Sequence, residues 1–212
     1  MGRISKGILG GFSGTVGTVV GGTWKGITYM RSKASRRTRV ATEAQLHQQA
    51  KFRLAIRFVQ TLRALFAFSF KSVALRMTGF NSGVSYTLKN AITGTYPTYS
   101  LDYTKVLVCR GDLPNAGNPA AVAGAGGIIT FTWTDNSGIG KAKPNDKAIL
   151  VVYCPELNES IFTDRTAVRN TLTVTLDVSA FHGKLVETYI GFLSEDGKDV
   201  ATSVYTGAVT VS

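Results

Sequence analysis

The sequence predicts an α+β protein: a Gly-rich N-terminal β-hairpin arm and basic helices, followed by an antiparallel β-sandwich of the immunoglobulin or fibronectin type III kind. Three observations support this fold class. Glycines dominate residues 7–22, apolar residues recur with the helical period between Thr42 and Met77, and the period becomes that of strands after residue 98. We therefore expect one boundary in the chain, between a basic region (residues 1–98) and a sandwich domain (residues 99–212).

The arm is predicted from residues 7–22, GILGGFSGTVGTVVGG. A glycine spacing of three and four would suit a helix packed on its small face, but each glycine costs a helix about 1 kcal/mol in water. Threonine and valine instead favour strands, so we expect a hairpin in which Gly21-Gly22 is the turn and residues 23–30 return as the partner strand. The run has few large apolar side chains and no clean cleavage site, so we expect neither a membrane span nor a cleaved signal peptide.

A basic amphipathic helix is predicted from Thr42, where the Thr hydroxyl and the amide of Gln45 form a capping-box pattern. We expect this helix to be broken once before Met77, and a shorter helix to follow over residues 80–92. Two apolar stripes run along the long helix, and together they are too wide for one packing partner. The first stripe is Leu46, Ala50, Leu54, Phe58, Leu62 and Leu65, and the second is Phe52, Ile56 and Val59.

Positive charge is concentrated in the first half of the chain. Residues 1–110 hold 17 Lys and Arg but only two acidic residues, whereas residues 111–212 hold 7 basic and 11 acidic residues. Solvated surfaces usually mix both signs, so the basic half predicts an anionic partner: nucleic acid, a membrane surface or the acidic half of a neighbouring copy. A solvated cationic surface without a partner is the alternative. The candidate nucleic-acid-binding residues are Arg31, Lys33, Arg36, Arg37 and Arg39 in a tract after the arm, and Lys51, Arg53, Arg57 and Arg63 on the helix.

Seven short β-rich runs separated by turn signals follow residue 98, with no helical pattern between them. They lie at residues 103–109, 128–134, 148–154, 160–163, 171–178, 188–194 and 200–211. Seven strands in about 110 residues are typical of an antiparallel sandwich. We expect Trp133 in its core, residues 113–127 in a loop, and a hairpin turn at residues 195–198 between the last two strands.

The sequence gives no support for an enzyme, a metal site or a cofactor. Cys109 and Cys154 lie in strand-like runs, which predicts small buried side chains rather than a disulfide framework. His47 and His182 have no second ligand at metal spacing, and the sequence contains no recognisable nucleophile–base pattern. Five acidic residues lie in predicted loops of the sandwich, where they either bind calcium or are simply solvated. They are Asp135, Asp146, Glu156, Glu159 and Asp164.

Two segments carry a resemblance to a known family. The first, near the N-terminus, is GILGGFSGTVGTVVGGTWKGITYMRS, and the second, after the long helix, is FNSGVSYTLKNAITGTYPTYSLDYTKVLVCRGDL. Both are similar to a family of uncharacterised proteins from Bacteroidota bacteria, catalogued only as a domain of unknown function. The resemblance covers essentially the whole chain and is densest in residues 2–31 and 80–113. It implies such a bacterium, or a phage or mobile element of one, as the source. It supplies no reaction and no catalytic residues.

These observations favour a structural, self-assembling protein: a coat or shell subunit of a virion-like particle, or a filament subunit, present in many copies. In a particle the basic half would face packaged DNA or RNA and contact its phosphates, so sequence specificity would be weak. One alternative is a small non-enzymatic nucleic-acid-binding protein. Another is a cell-surface or secreted adhesion module whose cationic half contacts lipid or acidic polysaccharide.

Overall fold

The computed structural model describes residues 2–4, 7, 10–34, 40–164 and 167–212. The protein is α+β, and its described residues form antiparallel sheets and three α-helices. The chain forms two compact units, Met1–Thr42 and Glu43–Ser212. The predicted boundary between residues 98 and 99 falls inside the second unit, because the helices and the later strands bury their apolar side chains in a common core.

The first unit is a single antiparallel sheet with the strand order β1-β2-β3-β4. Its strands are β1 (Arg3–Ile4), β2 (Phe12–Val16), β3 (Val19–Trp24) and β4 (Ile27–Ser32). Two tight turns connect the last three strands, one at residues 17–18 and one at residues 25–26. The arm is therefore strand-like, as predicted, but it contains two tight hairpins where the sequence predicts one.

The predicted turn at Gly21-Gly22 is wrong, because both glycines lie within β3 and pair with β4. The turns lie where the backbone has positive φ. Gly17 has a φ of 57°, and Lys25 and Gly26 have φ values of 48° and 83°, which is the pattern of a type I′ hairpin turn. The sequence correctly predicts a hairpin, but it places the turn at the wrong glycines. The turns are formed by the Gly-containing dipeptides on either side of β3, Gly17-Thr18 and Lys25-Gly26.

We expect Gly21→Ala to open the sheet of the first unit and Gly22→Ala to leave it folded. A Cβ atom at Gly21 would overlap the carbonyl oxygen and the ring of Phe12, whereas one at Gly22 would lie 3.1 Å from the phenol end of Tyr29, which can move aside. Overpacking of the first kind costs about 1–3 kcal/mol. Hydrogen–deuterium exchange of residues 12–32 in the full chain measures the difference, and equal protection in the two variants would contradict it.

The long helix is broken once, as predicted. α1 (Glu43–Thr61) and α2 (Arg63–Ser69) meet at Leu62, whose φ of −112° and ψ of 26° depart from helical values. Leu62 is fully buried, so the break lies in the core and not at the surface. The predicted extension to Met77 is wrong, because the chain turns at Phe70, whose side chain is also fully buried.

The third helix, α3 (Gly79–Asn90), lies close to the span predicted for the shorter helix, residues 80–92. Thr78 caps its first turn, since the threonine hydroxyl oxygen accepts a hydrogen bond of 3.2 Å from the N–H of Asn81. Gly83 allows α3 to approach α2, because a Cβ atom at this position would overlap the ring of Phe66. Close packing of the two helices therefore depends on a glycine that helix propensity alone would disfavour.

In the part of the chain that the structure describes, nine strands follow the helices and form a hairpin and two larger sheets. They are β5 (Ile92–Thr95), β6 (Thr98–Leu101), β7 (Gly117–Gly124), β8 (Ile128–Thr134), β9 (Lys147–Cys154), β10 (Glu159–Thr163), β11 (Thr173–Asp177), β12 (Leu185–Leu193) and β13 (Val204–Thr210). β5 and β6 form the hairpin. The larger sheets have the orders β10-β9-β12-β13 and β11-β8-β7, and all their pairs are antiparallel.

Two strand predictions for this region are wrong. The first of the seven predicted strands is a 3₁₀ turn (Tyr103–Lys105) followed by irregular backbone. The N–H groups of Val108 and Cys109 donate to the hydroxyl oxygen of Ser203, at 3.0 and 3.3 Å, and not to a strand. The predicted loop at residues 113–127 contains β7, because its small residues pair with β8 across a hairpin. In both places long-range pairing overrides local propensity.

β9 lies at the centre of the second unit with both faces buried. Ile149 and Tyr153 belong to a core shared with the helices, whereas Leu150 and Val152 belong to a second core shared with the three-stranded sheet. The unit therefore has three layers: the helices, the four-stranded sheet and the three-stranded sheet. The continuous apolar sequence of this strand, KAILVVYC, is typical of a strand buried on both faces.

A buried ion pair closes one end of the second core. The guanidinium of Arg169 donates to the carboxylate of Asp146 from Nε at 3.2 Å and from Nη2 at 3.1 Å. It also donates to Asn136 Oδ1 at 2.6 Å and to the carbonyl oxygen of Pro114 at 2.9 Å. Burial lowers the pKa of Arg169, and the charge of Asp146 opposes that shift. The prediction of a solvated or calcium-binding loop is wrong for Asp146, because both ionic side chains are 0% exposed.

We expect Asp146→Ala to lower the free energy of unfolding by about 3–5 kcal/mol, because it leaves the Arg169 charge buried without its partner. Asp199→Ala removes the exposed partner of Lys141, at 3.4 Å, and should lower it by only about 0–1 kcal/mol. Urea denaturation of the full chain measures both changes. Equal effects of the two substitutions would mean that the buried pair is no more important than a surface pair.

Candidate nucleic-acid interface

Three arginines are exposed on the first two helices. Arg53 and Arg57 lie one turn apart on α1, on the side opposite buried Ala55 and Phe58, and Arg63 begins α2. Across the described residues, no carboxylate lies within ion-pair distance of their guanidinium groups. We refer to Arg53, Arg57 and Arg63 as the exposed arginines. Their charge is available to an anionic partner.

The β5–β6 hairpin lies against α1 and adds aromatic rings to this surface. Tyr96, joined to Pro97 by a cis peptide bond, stacks on His47 with ring centroids 4.5 Å apart and planes inclined by 12°. The hydroxyl of Tyr99 lies 3.4 Å from Nδ1 of the same imidazole. The Tyr99 ring also contacts Lys51, whose Nζ lies 5.0 Å from the ring centroid, a cation–π distance. The hairpin is thus held against the helix by contacts between rings and a cation.

A cleft with a volume of about 190 Å³ lies between α1 and this hairpin. Its polar wall is formed by Arg53 and Arg57, and its opposite wall by Pro97 and Tyr99. Ala50 and Leu54 complete the lining. Two residues that the sequence predicts for nucleic-acid binding, Arg53 and Arg57, are therefore brought together with an aromatic ring in one cleft.

Sequence reasoning does not identify the aromatic part of this site. An aromatic-Pro pair such as Tyr96-Pro97 marks a turn, and His47 precedes Lys51 by one helical turn on α1. Neither signal shows that the two segments meet, because the contact between His47 and Tyr99 spans 52 positions of the chain. Only the tertiary packing of the hairpin brings the rings to the exposed arginines.

The other predicted residues lie elsewhere. The guanidinium of Arg63 lies 5.9 Å from the ring centroid of Phe80, on the side of α3. Arg31 and Lys33 belong to the first unit, where both are exposed, and the N–H of Lys33 donates to the carbonyl oxygen of Thr18 at 2.7 Å. Three further predicted residues lie outside the described part of the chain, and these are Arg36, Arg37 and Arg39.

A larger groove, with a volume of about 460 Å³, separates α1 from α3. Phe52 lies on it and is 47% exposed, and Lys51 and Lys89 line it. Its apolar lining is Phe52, Ile56, Phe80, Val84 and Leu88. The second apolar stripe of α1 is therefore only partly covered by α3, while the hairpin packs against another side of the helix. The prediction that α1 needs more than one partner is confirmed.

Burial raises the pKa values of Cys109 and Tyr153 in the core that the helices share with β9, and so keeps both side chains protonated. It raises the pKa of Cys109 to about 12, so this free thiol does not act as a nucleophile near neutral pH. It also raises the pKa of Tyr153 to about 12, a rise that the positive charge of nearby Arg57 opposes. In the ranges that the structure describes, no group of three or more His, Cys, Asp or Glu side chains could hold a metal ion, and no helix is long and apolar enough to cross a bilayer.

A family model matches residues 11–207 of the chain, and its description is "Family of unknown function (DUF6266)". The chain belongs to this family. No curated protein matches the DUF6266 chain in sequence. Among solved structures, the FN1-FN3 domains of chicken CNTN1 align with 49% of it at 13% identity and a TM-score of 0.37, and the match covers 36% of that structure's chain. The Bacteroidota source implied by the sequence resemblance stays a prediction.

Proposed function

We propose that this chain is a structural, non-enzymatic subunit that assembles in many copies into a shell or a filament, and that its basic surfaces hold nucleic acid by the phosphates. The observation that carries the proposal is the exposed sheet of the first unit. Large apolar side chains on this sheet are 37–72% exposed. They are Ile4, Val16, Val19, Trp24, Ile27, Tyr29 and Met30.

A single sheet cannot exclude water from its own apolar side chains, because stable folds pack at least two layers around a core. In the described residues of the first unit, only Gly21 is fully buried, and it has no side chain to contribute. An exposed apolar surface of this kind is typical of a protein–protein contact. The first unit therefore has the properties of an assembly arm that is covered when copies of the chain meet.

The edge of this sheet supports the same proposal. β4 is an edge strand of the described sheet, and all six of its residues are exposed. An exposed edge presents unpaired N–H and C=O groups to another strand, and strand addition is a common mode of association. If β4 of one copy pairs with a different edge strand of the next, the contact is heterologous and can extend to a ring, a shell or a filament.

The exposed arginines support contact with nucleic acid. Arg53 and Arg57 present forked donors without a carboxylate partner among the described residues, and guanidinium groups bind phosphate through two donors at once. Contacts to phosphate carry no base information, so this binding would be salt-dependent and weakly specific. Arg31 and Lys33 would add to it from the first unit.

The two larger sheets would supply the rigid wall of such a subunit. We propose that they form an immunoglobulin-like sandwich of the fibronectin type III kind. Seven strands are divided into sheets of three and four that share a core, and Trp133 lies in that core with 4% exposure. The fourth strand of the seven, β10, pairs with the third and not with the fifth, which distinguishes this order from a constant-type immunoglobulin domain.

A small nucleic-acid-binding protein that does not assemble is the second candidate. The observation that favours it is the position of the exposed arginines on the second unit, which has two cores of its own and does not need the arm to form this surface. The two candidates differ in mass, because the first predicts very large species and the second predicts one or two chains.

We expect the wild-type chain to elute as a species many times the chain mass of 22.7 kDa, and the double variant Ile27→Lys with Met30→Lys to elute at one or two chain masses. Lysines on an exposed strand keep it folded but prevent pairing with another strand. Size-exclusion chromatography with light scattering measures the masses.

The matched control places lysines at two exposed apolar residues of the second unit that lie outside its strands, Leu75 and Ile139, which are 83% and 63% exposed. This variant should assemble like the wild type. A small wild-type species would remove the assembly proposal and leave the second candidate, and a large species of the arm variant would show that β4 is not the contact.

Replacing the exposed arginines by serine should weaken binding of nucleic acid at low salt and reduce its salt dependence. Each phosphate contact contributes about −0.7 to −0.9 to the slope of log affinity against log salt, so three lost contacts should reduce the slope by about 2–3. Fluorescence anisotropy over a salt series measures the slope. The control replaces exposed Lys105, Lys141 and Lys198, which removes the same charge elsewhere. If both triple variants lose the same affinity, net charge and not this surface explains the binding.

A further inference from the structure

The cleft between α1 and the β5–β6 hairpin combines two kinds of group that nucleic acid uses. Arg53 and Arg57 are cations without a carboxylate partner in the described residues, and Tyr99 and Pro97 line the same cleft. Phosphates bind guanidinium groups, and bases stack on aromatic rings. A surface made only for phosphates would not need the second kind of group.

The rings beside the cleft are held in place before any ligand binds. Tyr96 has His47 stacked on one face, and 42% of the residue remains exposed. His47 also meets the ring of Tyr99 edge-on, with centroids 6.4 Å apart and planes at 72°. Because stacking and the contact from Lys51 already fix these side chains, a ligand that stacks on them would lose little entropy in ordering them.

The size of the cleft limits what can enter it. A volume of about 190 Å³ is below the roughly 300–1,000 Å³ of sites that enclose a whole small molecule. It therefore suits one flat group at a time, presented by a longer molecule that continues along the helix. In duplex DNA or RNA the base faces are stacked on each other and are not available for such a contact.

We infer that this cleft binds single-stranded nucleic acid, with one base stacked on the ring of Tyr99 and the neighbouring phosphates on Arg53 and Arg57. This inference rests on the nucleic-acid contact in the proposed function and narrows it from any polyanion to an unpaired strand. An aromatic ring can stack on any base, so the site accepts a single strand of either DNA or RNA unless another part of the protein contacts the 2′-hydroxyl.

The test compares three probes on the full-length chain by fluorescence anisotropy at low salt: an oligothymidylate, an oligouridylate and a mixed-sequence DNA duplex of the same length. Tyr99→Leu removes the ring that lines the cleft, and Tyr99→Phe keeps it. Loss of one base-stacking ring weakens binding of a single strand by roughly 5- to 150-fold. We expect that loss for Tyr99→Leu on the single strands only, with Tyr99→Phe close to the wild type and duplex binding unchanged.

Three results would overturn the inference. One is an unchanged affinity of Tyr99→Leu for single strands, another is tighter wild-type binding of duplex than of either single strand, and the third is equal competition by an oligoglutamate of the same charge. In each case the salt-dependent loss in the variant without the exposed arginines would still stand as evidence for phosphate contact. If no probe binds the wild type at low salt, the nucleic-acid part of the proposed function fails as well.

Discussion

The packing of β9 fixes the geometry of the second unit, because its two faces belong to two different cores. Tyr153 near its end meets the ring of Phe58 on α1 edge-on, with centroids 4.9 Å apart. Phe58 lies on the buried side of α1, so this contact sets the rotation of the helix about its axis. The same rotation turns Arg53 and Arg57 outward. The position of the candidate interface is thus a consequence of apolar packing in the layer beneath it.

The opposite end of this unit is organised by charge. Arg169 joins three loops, because its guanidinium contacts Asp146, Asn136 and the backbone of Pro114. Its own carbonyl oxygen accepts a hydrogen bond of 2.7 Å from the indole N–H of Trp133. A buried ion pair is weak evidence for stability, since desolvation opposes its attraction. Its geometry nonetheless holds the loops at that end of the two sheets in a defined arrangement.

The two units differ in how they meet the requirement for a buried core. The second unit has two cores, and the exposed arginines lie on the surface of its helices. The first unit has a sheet whose apolar side chains stay exposed. A domain with its own cores, joined to a sheet with no buried apolar side chain among its described residues, supports the proposed assembly, in which neighbouring copies would cover the sheet and the exposed arginines would bind a shared polyanion.

The sequence by itself determined the features that depend on neighbouring residues: the α+β class, the broken helix from residue 43, the excess of cations, and strands such as β8 and β9 whose side chains favour extended backbone. Tertiary structure decided the features that depend on distant residues. β7 is a strand because β8 pairs with it, and Asp146 is buried because Arg169 meets it there. The aromatic cleft exists because a hairpin 50 positions away packs on α1. Periodicity and propensity report local free energies, and contacts between distant segments add terms that no local pattern contains.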